Sequence, residues 1–376
     1  MNKILFILHS NNLLYGAAKS IKPVLENINL EYDIIVTRTM YKKYGIEKIR
    51  HAFNNKPINI FVFDLPLDEN IIIDNSITNI KVLLKRTLYN YYVDTKYYLN
   101  KHKLNQIIKS HEYSIIYLNS VVLYKLISKN NKYIVHVREL IQKQNKKRVI
   151  KKLELASSVI YIDLATKNRI GNESNIHSYV VNNPFDMGNI KRIKNDDKIY
   201  NKYSINRKKI IISMIGVINE QKGSDLVINI SKYLLSQYQI LIVGNGDREL
   251  VKYLKTAENT NKSLKYLGEI ENIEEIYFVS DYIIRAEKEF CIGRTIYEGL
   301  FSGCDVIIPG EENKNADMIY DYSIFKDMIH FYEPRNTERL LMLINSLKKV
   351  DKSNRICMSN KEDYTKKIES IIMSCL

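Results

Sequence analysis

Short runs of β-branched and aliphatic residues alternate with longer amphipathic stretches along this chain, and the pattern starts twice. Apolar runs near 3–9, 32–37, 58–63, 114–119, 133–137, 158–162 and 177–181 predict strands in the first half. Runs near 210–216, 239–243, 264–267, 282–284 and 305–308 predict strands in the second. Helical spacing falls between them. Ile21, Val24, Leu25 and Ile28 share one helix face, and helices are expected at about 224–236, 246–257, 272–279, 294–303 and 337–349. Alternating β and α units build parallel sheets with helices on both faces, so the fold class is α/β, doubly wound.

The two series meet at 187–209, a polar and charged stretch with little periodicity. The expected organisation is therefore one Rossmann-like domain over 1–186, a linker over 187–209 and a second Rossmann-like domain over 210–376, with the last helix free to cross back to the first. A length of 376 residues supports two cores, since single domains run to roughly 100–200 residues. Two such domains would face each other across an interdomain cleft, where ligands meet the carboxyl ends of the strands.

Composition removes several classes. Charged residues make up 26% and hydrophobic residues 45%, which is ordinary for a globular protein. The opening MNKILFILHSNN has a short apolar run but no small-residue cleavage site, so it reads as a first strand rather than a signal peptide. No apolar segment approaches the roughly 20 residues of a membrane-spanning helix. Cys291, Cys304, Cys357 and Cys375 lack CxxC spacing and a nearby histidine cluster, which suits thiols in a reducing cytosol and argues against a metal site.

Charge is unevenly placed. Residues 1–180 carry 28 basic and 14 acidic side chains, whereas 181–376 carry 29 and 28, so nearly all of the net +15 belongs to the first half. The segment Lys81 to Lys109 mixes lysines with tyrosines and leucines, and Lys143 to Lys152 is rich in lysine around Val149 and Ile150; such compositions suit an anionic membrane surface or a polyanionic acceptor. Nucleic acid is the weaker reading, because aromatic-basic RNA signatures are missing.

Three stretches of the second half could carry chemistry. Gly216 to Asp225 (GVINEQKGSD) ends a strand and opens a helix, bringing a flexible loop and the cation of Lys222 together. Leu241 to Asp247 (LIVGNGD) supplies Gly244 and Gly246 at a second strand-to-helix turn, without the third glycine of a dinucleotide fingerprint. Arg285 to Pro309 (RAEKEFCIGRTIYEGLFSGCDVIIP) places acids before and inside a helix that starts at Gly293, Arg294 and Thr295. Sugar and ribose hydroxyls donate to carboxylates, while a diphosphate suits free backbone N–H groups and an arginine.

Taken in order, GVINEQKGSD, ILIVGNGD, LKYLGEI and EFCIGRTIYEGLFSGCDVIIP resemble glycosyltransferase family 4, which has the GT-B fold. In the first half, the turn Gly16 to Ser20, the segment Ile115 to Leu140 and VVNNPFD (Val180 to Asp186) are similar to that family's N-terminal elements. The resemblance implies that Glu298 holds the donor ribose, Lys222 neutralises the diphosphate, Gly16 lets backbone approach it, and His136 lies near the transferred sugar. Gly216, Gly244, Gly246, Gly293, Arg294 and Thr295 would line the donor site. Family members usually place seven residues between their paired glutamates, which would put the first at Phe290; Glu289, one residue earlier, is the preferred candidate and Glu287 the alternative. The family's usual arginine is Val217 here, with Arg294 or Arg285 left to supply that charge.

The implied activity is retaining transfer of a sugar from a nucleoside diphosphate sugar to the hydroxyl of a saccharide, lipid-linked or protein acceptor in cell-surface polysaccharide or glycoconjugate synthesis. It needs no cofactor beyond the donor and no metal, and the chain offers no DxD between its halves. A cytoplasmic protein, peripheral at the inner face of the membrane, is expected. Two rivals share the fold: a non-hydrolysing nucleotide-sugar epimerase, and a non-catalytic binding partner. His136 by itself, inside the apolar strand VHVREL, also reads as a hydrogen-bonded core histidine.

Overall fold

A computed structural model describes residues 3–10, 13, 16–72, 80–171, 176–187, 190, 196–352, 355 and 357–376. The chain divides into two compact units, Met1–Pro184 with Lys361–Leu376, and Phe185–Asn360.

The first unit is built on seven strands: β1 (Ile4–Ile7), β2 (Tyr32–Thr37), β3 (Ile60–Phe63), β4 (Ile115–Leu118), β5 (Tyr133–Val137), β6 (Ser158–Tyr161) and β7 (Ser178–Val180). They form one sheet in the order β3-β2-β1-β4-β5-β6-β7, and every pairing is parallel. β1, β2, β4, β5 and β6 are buried along their whole length, which is why they read as continuous apolar runs. Side chains pointing to opposite faces fill two separate cores. Leu5, Ile7 and Leu118 enter one, and Ile4, Phe6 and Tyr117 enter the other. The terminal helix Lys361–Cys375 closes the second core with Tyr364, Ile368, Ile371 and Ile372, packing beside the helix Gly16–Asn27.

The second unit has six strands: β8 (Ile210–Ile215), β9 (Tyr238–Val243), β10 (Leu264–Gly268), β11 (Tyr282–Ile284), β12 (Asp305–Pro309) and β13 (Ile329–Tyr332). Their order is β10-β9-β8-β11-β12-β13, again all parallel. In both sheets the order reverses beside the first strand, between β1 and β4 and between β8 and β11. That reversal opens a crevice at the carboxyl ends of the strands. The doubly wound α/β class expected from the sequence is the one observed.

Two elements differ from expectation. β13 was not predicted: four residues carrying His330 give little signal alone, and pairing with Val306 to Pro309 of β12 makes the strand. The helix expected over 224–236 covers Ser224–Ile230, passes through a single 3-10 turn at Ser231–Tyr233, and turns extended at Leu234. Tyr238 starts β9 only four residues later, so the chain must leave the helix early to reach the sheet. The stretch 187–209, read as a linker, contributes Met187, Ile190, Ile199, Tyr203 and Ile205 to the second unit's core and forms the helix Asp196–Lys202.

Candidate functional site

In the second unit the loops leaving β8, β9 and β11 converge at the reversal point. Gly216 follows β8 with φ +136°, and Gly244 follows β9 with φ +129°. A Cβ on Gly244 would run into the carbonyl of Gly216, and one on Gly246 into the backbone of Ile218. The two loops are also tied by Ile218 N–H donating to Asn245 O at 3.0 Å and Asp247 N–H donating to Ile218 O at 2.8 Å. These glycines thus let two backbones pack against each other.

Lys222 ends a single 3-10 turn, Glu220–Lys222, capped by Asn219, whose Oδ1 accepts from Lys222 N–H at 2.8 Å. Gly223 follows at φ +73° and lies so close to Ala286 that any Cβ would overlap its carbonyl. That contact presses the β8 loop against the β11 loop, and Lys222 Nζ reaches Glu287 Oε1 at 3.3 Å. Arg335 braces the turn from outside, donating to Asp225 Oδ2 and to Glu220 O, each at 2.8 Å. Nothing in the local sequence distinguishes Arg335, which is 110 residues from Asp225.

Glu287 also accepts from Arg285, through Nε at 2.8 Å and through Nη2. Burial pushes this carboxyl upward, but the Arg285 charge, its hydrogen bonds and Lys222 outweigh burial and hold it below its ordinary value. Glu287 is therefore ionised at neutral pH. Its Oε2 is buried and has no hydrogen-bond partner among the described residues. Arg285 extends the chain of contacts to Thr295 Oγ1 at 3.2 Å and packs against Gly293, where a Cβ would meet the guanidinium. Tyr332 fixes the Arg285 backbone, donating to its carbonyl at 3.1 Å.

Gly293 precedes the helix Arg294–Phe301 and offers no side chain to cap its first N–H groups. One turn in, Glu298 is buried, accepting from Arg294 Nε at 2.9 Å and from Tyr277 Oη at 2.7 Å. The Arg294 guanidinium stacks over Phe185 at 5.1 Å. Lys222, Glu287, Arg285 and Thr295 thus form one linked set and Arg294, Glu298 and Tyr277 a second, and the helix Arg294–Phe301 carries members of both. Glu289 stands exposed, two residues beyond the acid that meets Lys222. Val217 is exposed as well, and the cations near Glu287 are Arg285 and Lys222. Tyr277, Tyr332 and Arg335 escaped sequence reading because a lone tyrosine or arginine carries no spacing signal.

In the first unit Gly16 opens the helix Gly16–Asn27 at φ +59°, with open space where a Cβ would stand. Asn119 Nδ2 donates to Ala17 O at 3.0 Å, tying this helix start to the end of β4. His136 is fully buried in β5, with Nδ1 2.7 Å from Tyr117 Oη and 3.1 Å from Arg138 Nη2, while its Nε2 has no partner among the described residues. Arg138 in turn donates to Asn119, to Asn183 at 2.8 Å and to Tyr364 Oη at 3.2 Å. Burial, then the Arg138 charge, push the His136 imidazole well below its usual pKa.

A further cluster gathers at the ends of β1, β4 and β5. Ser120 Oγ donates to Glu139 Oε1 at 2.6 Å, and His9 Nε2 lies 3.8 Å from the same oxygen. Burial and then Arg138 lower the His9 pKa to about 4, so the neutral ring is the folded form. Because the unfolded value is near 6.5, stability from this group is complete above that pH and drains away as pH falls towards 4. Urea titrations should show wild type losing about 2 kcal/mol more than His9→Asn between pH 7 and 4.5. Glu139, which burial shifts upward, acts in the opposite direction but is common to both proteins. Parallel pH profiles would refute the neutral buried ring.

Residues 195–363, nearly all of the second unit, match the family model described as glycosyl transferases group 1. Processive diacylglycerol beta-glucosyltransferase of Bacillus cytotoxicus is 30% identical over 133 residues, 34% of this chain and 33% of that protein. Glycogen synthase of Flavobacterium johnsoniae is 30% identical over 136 residues, 34% of this chain and 28% of its own. The sequence match thus spans about a third of the length of these curated relatives. Anabaena HepE, solved in complex with UDP-glucose, superposes with a TM-score of 0.70 at 15% identity and covers 100% of each chain. The fold is therefore GT-B, and the second unit carries the sequence signature of a group 1 glycosyl transferase. No described helix is long and apolar enough to cross a membrane.

Proposed function

We propose that this chain is a retaining glycosyltransferase that moves a sugar from a nucleoside diphosphate sugar to an acceptor hydroxyl in cell-surface polysaccharide or glycoconjugate synthesis. The observation that carries the reading is a pair of linked sets, Lys222 with Glu287, Arg285 and Thr295, and Arg294 with Glu298 and Tyr277, both anchored at the start of the helix Arg294–Phe301 inside the region that matches the family model. Uridine diphosphate sugars are the first donors to try, given the molecule bound in HepE.

In this reading the bond between the anomeric carbon and the diphosphate oxygen breaks, leaving an oxocarbenium-like sugar and extra negative charge on the diphosphate. Lys222 and Arg294, with the backbone at the start of the helix after Gly293, stabilise that charge through preorganised electrostatics. Glu298 holds the ribose, already oriented by Tyr277 and Arg294. Glu287, ionised and with one free oxygen, is placed to accept from a sugar hydroxyl. The acceptor oxygen bonds to the anomeric carbon, its proton leaves to the departing phosphate, and the product keeps the donor's configuration. No metal is assigned a step.

Incubation with a panel of nucleotide sugars and candidate acceptors, followed by mass spectrometry and anomeric NMR, tests this. Transfer with unchanged anomeric configuration, unaffected by EDTA, is expected. Inverted product would remove retention, EDTA inhibition would remove metal independence, and conversion of donor without acceptor would favour an epimerase. A chain that binds no nucleotide diphosphate would end the proposal.

A further inference from the structure

The helix Ile80–Ser110 of the first unit has two apolar stripes, and only one is used by the fold. Tyr97 and Leu104, seven residues apart, are buried in the core beneath the sheet, and Ile108 packs against it. At 100° per residue the opposite side carries Leu84, Leu88, Tyr91 and Leu99, with Tyr98 at its edge. That side faces solvent: Leu88 is 68% exposed, Tyr91 75%, Tyr98 68% and Leu99 77%. Large apolar groups gathered on one exposed face mark an interaction surface.

Charge selects the occupant. The helix sequence holds Lys81, Lys85, Arg86, Lys96, Lys101, Lys103 and Lys109 against Asp94 alone. Lys101, Lys103 and Lys109 are exposed, Lys96 Nζ lies 4.4 Å from the Tyr92 ring, and Lys101 Nζ lies 5.8 Å from the Tyr98 ring. Ammonium groups therefore stand beside the aromatic groups on the same exposed side. A second copy of this chain laid against the face would oppose lysine with lysine. An anionic lipid surface instead neutralises the lysines while the leucines and tyrosines enter the boundary between headgroups and acyl chains.

We propose that this exposed face, centred on Leu88, Tyr91, Tyr98 and Leu99, is a docking surface for an anionic bilayer, with the helix lying in the plane of the membrane. The proposal is independent of the glycosyltransferase reading, because it concerns residues outside the candidate donor site.

Sedimentation of the full chain with vesicles of phosphatidylcholine containing 30% phosphatidylglycerol, against pure phosphatidylcholine, gives the test. Binding is expected to the anionic vesicles, weakened at least tenfold in 0.5 M salt. Lys96→Gln, Lys101→Gln and Lys103→Gln together should weaken it more than tenfold, at about fivefold per lysine near the surface. Leu88→Ser, Tyr98→Ser and Leu99→Ser together should abolish it, with an unchanged circular dichroism melt and, on a water-soluble acceptor, unchanged turnover. Lys222→Ala should bind vesicles as wild type does, whether or not it transfers sugar. Failure to bind anionic vesicles, equal binding to both vesicle types, or a dimer in sedimentation velocity that the serine variant abolishes would each overturn the proposal.

Discussion

Lys222→Ala is expected to lower turnover at saturating donor by about 10²–10³-fold while leaving the melting temperature nearly unchanged. The large kinetic effect follows from the proposed chemistry, since charge grows on the leaving diphosphate only as the bond breaks. A cation fixed by a capped turn meets that charge without reorganising. The small stability effect follows from the geometry. Lys222 is 40% exposed in its side chain, and its partner Glu287 keeps Arg285 when the lysine is gone. A pair whose cation is half-exposed and whose acid keeps a second cation contributes about 0–1 kcal/mol. Lys222→Arg should recover part of the rate, because it restores charge with a longer reach. Turnover within threefold of wild type would remove Lys222 from the reaction.

Glu298→Ala should be the most destabilising single change in the candidate site, at about 3 kcal/mol, combining an orphaned buried hydroxyl with a broken ion pair. Tyr277 is fully buried and donates to Glu298 at 2.7 Å, so alanine leaves its hydroxyl without an acceptor. Arg294 loses its partner as well, though part of its cost is relieved by residual exposure. For a unit of this size the change corresponds to roughly 6–12 °C in thermal melting. Glu298→Gln retains an acceptor for Tyr277 and should cost about 1 kcal/mol. If Glu298 also holds the donor ribose, the glutamine variant should fold well yet bind nucleotide sugar weakly in calorimetry. An alanine variant melting within 2 °C of wild type would refute the buried network.

The basis of these two predictions was legible in the sequence to different degrees. Lys222 and Glu298 stood out because a glycine-flanked lysine and an acid one turn into a helix sit at recognisable strand-to-helix transitions. Glu289 was preferred from the paired-glutamate spacing that the family resemblance implies. In space the neighbour of Lys222 is Glu287, because the contact of Gly223 with Ala286 sets which residue of the β11 loop comes alongside the turn. His136 was legible as a histidine in an apolar strand, but its partners, Tyr117, Arg138 and through Arg138 Asn183 and Tyr364, come from four separate segments. The neutral His9 ring and the brace from Arg335 left no local trace at all.

By itself the sequence determined the doubly wound parallel class, twelve of the thirteen strands among the described residues, and the glycine-marked turns at their ends. Those features are written in local periodicity and in backbone freedom, which neighbouring residues carry without outside help. Tertiary structure alone decided that Ile329–Tyr332 is a strand, which acid faces Lys222, and which stripe of the long basic helix is left in solvent. Each depends on what lies opposite in space, and pairing, burial and desolvation are set by residues tens to hundreds of positions away.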